Sequence, residues 1–156
     1  MGMDYWYIEG IGVSVGMFYN TIDLDKLIKF VNEKEMDEGL ASCKNKLVES
    51  IVSYKNELKE EKEEPDYYEI MDLFDGERDF LEFITEKVEY LTLAIGDDDD
   101  YIIYEKKYPW DMTDEEKNYT REDIIQLIVS EFSKILKDDV DIAKEIDDIS
   151  KVCMGY

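Results

Sequence analysis

The 156-residue sequence predicts an α+β fold, a small antiparallel sheet packed against four to six helices. Three observations predict it. Aromatic and β-branched residues crowd positions 4–15 and again 90–104, where two such runs flank a Gly/Asp turn. Apolar residues recur at helical spacing through 38–63 and through 121–137. No internal repeat or long linker separates these runs, so a single acidic domain over 1–156 is expected.

Each element has its own reason. Residues 4–15 (DYWYIEGIGVSV) read as a strand with a bulge, or as two short paired strands, because Gly10 and Gly12 interrupt a β-prone run. Asp23 is placed to cap a helix, with Ile22 and Leu27 as its hydrophobic staple. Leu24, Leu27, Ile28 and Val31 carry that helix to about Glu35. Leu40, Cys43, Leu47, Val48, Ile51, Tyr54 and Leu58 share one face, which predicts the longest helix near 38–63, stopped by Pro65. Its charged end, 57–66, reads as an exposed elbow.

Residues 66–75 fit either a helix or a strand, and helix is the preferred reading. Gly76 breaks it, and Phe80, Leu81, Ile84 and Val88 resume a helix toward Glu89. The runs 90–95 and 101–104 predict a hairpin around a five-residue loop. Thr113 with Glu116, and Thr120 with Asp123, resemble capping boxes. A helix over 121–137 follows, and Ile142, Ile146 and Ile149 suggest a last short helix within 140–150.

The charge is the unusual quantity. Asp and Glu total 41 against 18 Lys and Arg, a net −23. Nucleic-acid binding relies on cations that displace condensed counterions, so direct contact with nucleic acid is disfavoured. Anionic membrane surfaces repel the chain for the same reason. Its field instead speeds encounter with basic protein surfaces. The excess is concentrated: residues 51–100 carry 18 acids and 5 bases, against 9 and 5 in 1–50 and 14 and 8 in 101–156.

Histidine is absent, no Gly-rich phosphate loop occurs, and neither Cys43 nor Cys153 stands beside a candidate base. No catalytic residue, cofactor or metal is therefore expected. The two cysteines read as a reduced pair. With no apolar run near membrane-spanning length and no signal-like amino terminus, a cytoplasmic location is expected. Asp97, Asp98, Asp99 and Asp100 suggest calcium, but an EF-hand loop begun at Asp97 would place Ile102 and Tyr108 where Gly and Glu are needed.

The candidate binding surface is a carboxylate row. Asp66, Glu69, Asp72, Asp75, Asp79, Glu82, Glu86 and Glu89 recur every three or four residues, opposite Tyr67, Met71, Phe74, Leu81, Ile84 and Val88. Neighbours on such a row sit about 5–6 Å apart, comparable to phosphates along a nucleic-acid strand. The plainer reading is the wet face of an amphipathic helix. Tyr5, Trp6, Tyr7, Tyr67, Tyr68, Trp110 and Tyr119 add aromatics suited either to the core or to arginine-rich surfaces, and Trp110 to anchoring a strand-to-helix junction. With the four aspartates of the hairpin tip, the row points to a non-catalytic inhibitor that occupies the basic, nucleic-acid-handling surface of a partner. Phage or plasmid anti-restriction and anti-CRISPR proteins provide the natural setting for such a mimic. An immunity or antitoxin-type protein neutralising a basic toxin, or an oligomerisation scaffold, is the alternative.

Overall fold

The computed structural model describes residues 4–34, 41–86, 88, 90–94 and 100–155. It has the α+β architecture expected, with a four-stranded antiparallel sheet and six α-helices among the described residues. Contacts separate the chain into two compact units. The first gathers Met1–Met17, Thr85–Phe132 and Asp141–Tyr156, and the second Phe18–Ile84 and Ser133–Val140.

The first unit holds the sheet. Strand β1 (Asp4–Ser14) lies between β3 (Tyr101–Glu105) and β4 (Asp147–Gly155), and β2 (Leu91–Ala94) pairs with the far side of β3. Register runs unbroken from Asp4↔Gly155 to Gly12↔Asp147 on one side of β1, and from Gly10↔Glu105 to Ser14↔Tyr101 on the other. The expected bulge, or split into two strands, is therefore absent from β1. Its glycines serve a different need: a Cβ at Gly10 would lie 2.0 Å from the Tyr104 carbonyl oxygen, and one at Gly12 lies 2.1 Å from that of Ile102. They let two backbones close on each other.

The hairpin forms as expected around 91–105, with β2 ending at Ala94; Gly96 to Asp99 lie outside the described residues. Ile8, Ala94, Ile103 and Ile149 pack together on one face of the sheet. Helix α5 (Arg121–Phe132) contacts β1, and its start is a reciprocal cap. Thr120 N–H donates to Asp123 Oδ2 at 2.9 Å, and Asp123 N–H donates to Thr120 Oγ1 at 3.2 Å.

Two sequence expectations fail here. The helix expected over 140–150 is a single turn, α6 (Ile142–Glu145), and the chain then becomes β4. Ile142, Ile146 and Ile149 are indeed buried, which produced the helical spacing. The free edge of β1, however, offers a full ladder of backbone hydrogen bonds that a short helix cannot supply. The helix expected to reach residue 137 ends at Phe132. Ile135 and Leu136 are still buried, but in the second unit, where Leu136 bridges Ile22.

The second unit is helical. Asp23 caps α1 (Leu24–Glu33) by accepting from the N–H groups of Asp25 and Lys26, and both staple residues, Ile22 and Leu27, are buried. The returning segment 133–140 is stitched to this cap: Asp23 N–H donates to Ile135 O at 2.9 Å, and Lys137 N–H to Thr21 O at 2.8 Å. Lys26 Nζ adds bonds to the carbonyls of Ser133 and Leu136. Helix α2 (Ala41–Glu61) is the longest and buries Ile51, Tyr54 and Leu58. It stops earlier than Pro65, at Lys62, which takes a left-handed φ of 56°.

Helices α3 (Tyr67–Leu73) and α4 (Glu77–Thr85) complete the unit. Residues 66–75 are thus helical, as preferred. Between the two helices Asp75 (φ 65°) and Gly76 (φ 124°) both turn left-handed, and Gly76 N–H closes back on Met71 O at 3.0 Å. Phenylalanines chain through this core: Phe18 meets Phe80, Phe80 meets Phe74, and Phe74 and Phe30 each meet Phe83, all with centroids 5.0–6.2 Å apart.

Candidate protein-binding surface

The apolar side of the carboxylate row is buried as the spacing requires. Tyr67, Met71, Phe74, Leu81 and Ile84 all belong to the core, and Val88 is half-buried. The row itself is not continuous. The left-handed turn at Asp75–Gly76 divides it into Asp66, Glu69 and Asp72 on α3, Asp75 in the turn, and Asp79 and Glu82 on α4. All six are exposed and lie in the second unit. Glu86 is exposed and Asp100 half-buried, both in the first unit. Glu89, Asp97, Asp98 and Asp99 lie outside the described residues.

Local chemistry separates these carboxylates. Asp66 is the N-cap of α3: its Oδ1 accepts from Tyr68 N–H at 2.8 Å and Glu69 N–H at 3.3 Å. Asp66 N–H in turn donates to the Tyr54 hydroxyl at 2.9 Å. Burial, and after it the Glu69 carboxylate, pushes the Tyr54 pKa up to about 12, against the Asp66 N–H, which lowers it. Asp66 and Glu69 also occupy the end of α3 where the helix dipole favours anions. Both have structural reasons to be acidic.

Asp72 has none, and Asp75 has only the left-handed φ of 65°, which aspartate tolerates but asparagine would serve as well. They stand at the opposite end of α3, whose last turn holds no basic residue, where the dipole disfavours negative charge. Neither forms an ion pair among the described residues. On α4, by contrast, Arg78 Nε donates to Glu82 Oε1 at 3.1 Å, so that face is of mixed sign. The one-sign part of the row is α3 and the turn after it.

Aromatic rings adjoin the first turn of α3, the end that carries Asp66 and Glu69. Tyr68 is 63% exposed and Tyr19 45% exposed, with ring centroids 6.1 Å apart, and both contact the ring of Tyr67 beneath them. Tyr67 is buried, and its hydroxyl lacks a hydrogen-bond partner of normal geometry. Burial, then the nearby Glu77 carboxylate, raises its pKa strongly.

The other aromatics divide. Tyr7 is exposed and Tyr119 half-buried, while the side chains of Tyr5 and Trp6 lie outside the described structure, as do those of Cys43 and Cys153. Trp110 does not anchor a junction: it is 77% exposed. Tyr108, 65% exposed, stacks on it, a pairing that sequence reasoning missed. The signal was the Tyr-Pro-Trp order, because a proline between two aromatics fixes the local turn.

No group of three or more Cys, Asp or Glu side chains among the described residues is placed to hold a metal ion. No helix among them is long and apolar enough to cross a membrane. No family model, curated protein or solved structure matches the chain.

Proposed function

We propose that this chain is a non-catalytic, acidic protein-binding inhibitor that occupies a basic, nucleic-acid-handling surface of a partner protein. The observation that carries the reading is the uncompensated pair Asp72 and Asp75. They are exposed, of one sign with Asp66 and Glu69, and placed where the helix dipole opposes them. A solvated face needs polarity but not a single sign. Carboxylates on α3 and its turn would take the positions of phosphates, and Tyr68 and Tyr19 beside them would stack where bases lie. The biological setting that suits such an inhibitor is anti-restriction or anti-CRISPR defence by a phage or plasmid.

The exposed aromatics favour a second reading, an immunity-type protein that plugs a basic toxin through a short, shape-specific patch. One experiment separates the two. The protein is used as bait at low salt against a lysate of its host, the captured partner is identified, and binding is then measured with purified components. Mimicry predicts an affinity that falls steeply with salt, competition by DNA or RNA, and loss on charge reversal of Asp72, Asp75 and Asp79. Affinity unchanged between low and moderate salt, with no competition from nucleic acid, refutes it. An immunity-type contact would survive the charge reversal and be lost with one aromatic substitution.

A further inference from the structure

The Tyr108–Trp110 pair is unlike the other aromatics of the chain. The two rings are stacked with centroids 4.8 Å apart and planes within 2° of parallel, yet both are largely exposed. The 3-10 turn Pro109–Asp111 holds them: Asp111 N–H donates to Tyr108 O at 2.9 Å, and Met112 N–H to Pro109 O at 3.3 Å. Neither ring contributes to the core. A large amphipathic surface has been ordered in advance and left in water, which is costly for folding and useful for binding.

Beside it lies a groove of about 350 Å3 with Ile11, Tyr104, Ile124 and Ile149 among its lining. Lys107 and Met112, the residues bracketing the turn, both line this groove, so the stacked pair stands at its lip. The whole arrangement belongs to the first unit.

Charge decides what fits there. At −23, a second copy of the chain, a phosphate backbone and an anionic membrane are all repelled. A cationic protein segment is attracted. The lip favours arginine over lysine, because a planar guanidinium lies flat on an indole face while still donating hydrogen bonds. Asp111, exposed and without an ion pair among the described residues, is adjacent to receive them. Within the groove, Lys107 pairs with Glu116 at 2.8 Å and Asp148 with Arg121 at 3.4 Å, while Lys106 and Glu9, of opposite sign, form no ion pair among the described residues. With the lining's charges balanced, its apolar floor suits an uncharged neighbour, and the arginine is drawn to the lip by the indole face and Asp111.

We propose that the stacked pair and the groove form a docking site for a partner-protein segment that sets an arginine beside an apolar side chain. The guanidinium lies on the exposed face of Trp110, and the apolar side chain enters the groove. The site shares with the proposed function only the premise of a cationic protein partner. Its residues are different, so the two can fail separately.

The test uses full-length protein carrying Trp6→Phe, which leaves Trp110 as the single tryptophan. The probe is a capped peptide with two arginine–leucine pairs, titrated at physiological salt and followed by Trp110 fluorescence. A saturable change is expected, with binding several-fold weaker when lysine replaces arginine or alanine replaces leucine. Trp110→Ala, followed by calorimetry, should weaken binding about tenfold and erase the preference for arginine; Tyr108→Ala should act in the same direction. Asp72→Lys with Asp75→Lys should leave the arginine-to-lysine ratio unchanged, although it tests the other surface. Equal affinity for both peptides, or a silent Trp110, overturns the proposal. So does a blue shift of Trp110 on zwitterionic phosphatidylcholine vesicles without a response to peptide, which would assign the turn to a lipid surface.

Discussion

Replacing Gly10 with alanine should destabilise the sheet by several kcal/mol, although it adds only one methyl group. The added Cβ would meet Tyr104 O at 2.0 Å, Ile103 Cγ2 at 2.7 Å and Tyr104 C at 2.9 Å, where ordinary contact begins near 3.4 Å. Two of these three atoms are backbone, so no rotamer change relieves the overlap. Strands β1 and β3 must part around Gly10↔Glu105, which strains the neighbouring bond from Lys106 N–H to Glu9 O, now 2.8 Å. Losing one or two ladder bonds costs about 1–2 kcal/mol. Disturbing the fully buried Ile103 adds about 1–3 kcal/mol. The reduced freedom of the unfolded chain returns about 0.4–1 kcal/mol. A net loss of roughly 1–5 kcal/mol follows, a large share of a typical stability of about 5–15 kcal/mol. Urea denaturation followed by circular dichroism measures it, with Gly16→Ala as the control: Gly16 is exposed and its nearest neighbour is Ser14 Oγ at 3.5 Å. Gly10→Ala within about 0.5 kcal/mol of the parent, or a control equally harmful, would refute the close-approach reasoning.

The remaining predictions concern titration, capping and support of the α3 end. Tyr54 and Tyr104 are each pushed up to about 12, chiefly by burial, so phenolate absorbance should show a late-titrating class that vanishes in denaturant. Because their folded values exceed the usual 10, their contribution is intact below about pH 10 and is lost as pH rises through 12; stability that stays flat over that window contradicts this. Thr120→Ala should cost about 1 kcal/mol in a urea melt by opening the cap of α5, whereas an unchanged midpoint would mean that Asp123 caps alone. Tyr54→Phe removes the acceptor of Asp66 N–H and should cost about 1–2 kcal/mol, with faster amide exchange at Asp66 and Tyr68; unaltered exchange there would show that α3 needs no such support.

Legibility followed the range of the forces involved. Caps are local, and Asp23 and Thr120–Asp123 act within three residues, so their sequence signatures translated directly. Amphipathic burial of α3 and α4 was equally readable, because a 3.6-residue period needs no knowledge of the partner surface. Strand β4 was not. Its formation depends on an edge of β1 nearly 150 residues away in sequence, and the isoleucine spacing around 142–149 mimicked a helix. The break at Asp75–Gly76 was half legible: Gly76 marked it, but nothing announced that Asp75 would also turn left-handed and divide the carboxylate row. The Tyr108–Trp110 stack was half legible as well: Pro109 marked the turn, but the parallel stacking of the rings across it depends on the folded backbone.

What distinguishes a binding surface from a wet one is the sign of the stability effect. Glu69 and Asp72 are three residues apart on α3, where like charges destabilise a helix by a few tenths of a kcal/mol and a lysine at the second position would stabilise it by a similar amount. The dipole adds about 0.3–1 kcal/mol against an acid in the last turn. Asp75 holds a left-handed conformation that glycine or asparagine would adopt without charge. For solvation alone, each of these choices is worse than an available substitute, and α4 shows the substitute in use, with Arg78 paired to Glu82 on its exposed face. Asp72→Lys and Asp75→Asn should therefore raise the urea midpoint. If the surface has no partner, that gain comes without loss. If α3 presents its carboxylates to a basic groove, the same variants gain stability and lose affinity together, and opposite signs from one substitution are what an ordinary solvated face cannot produce.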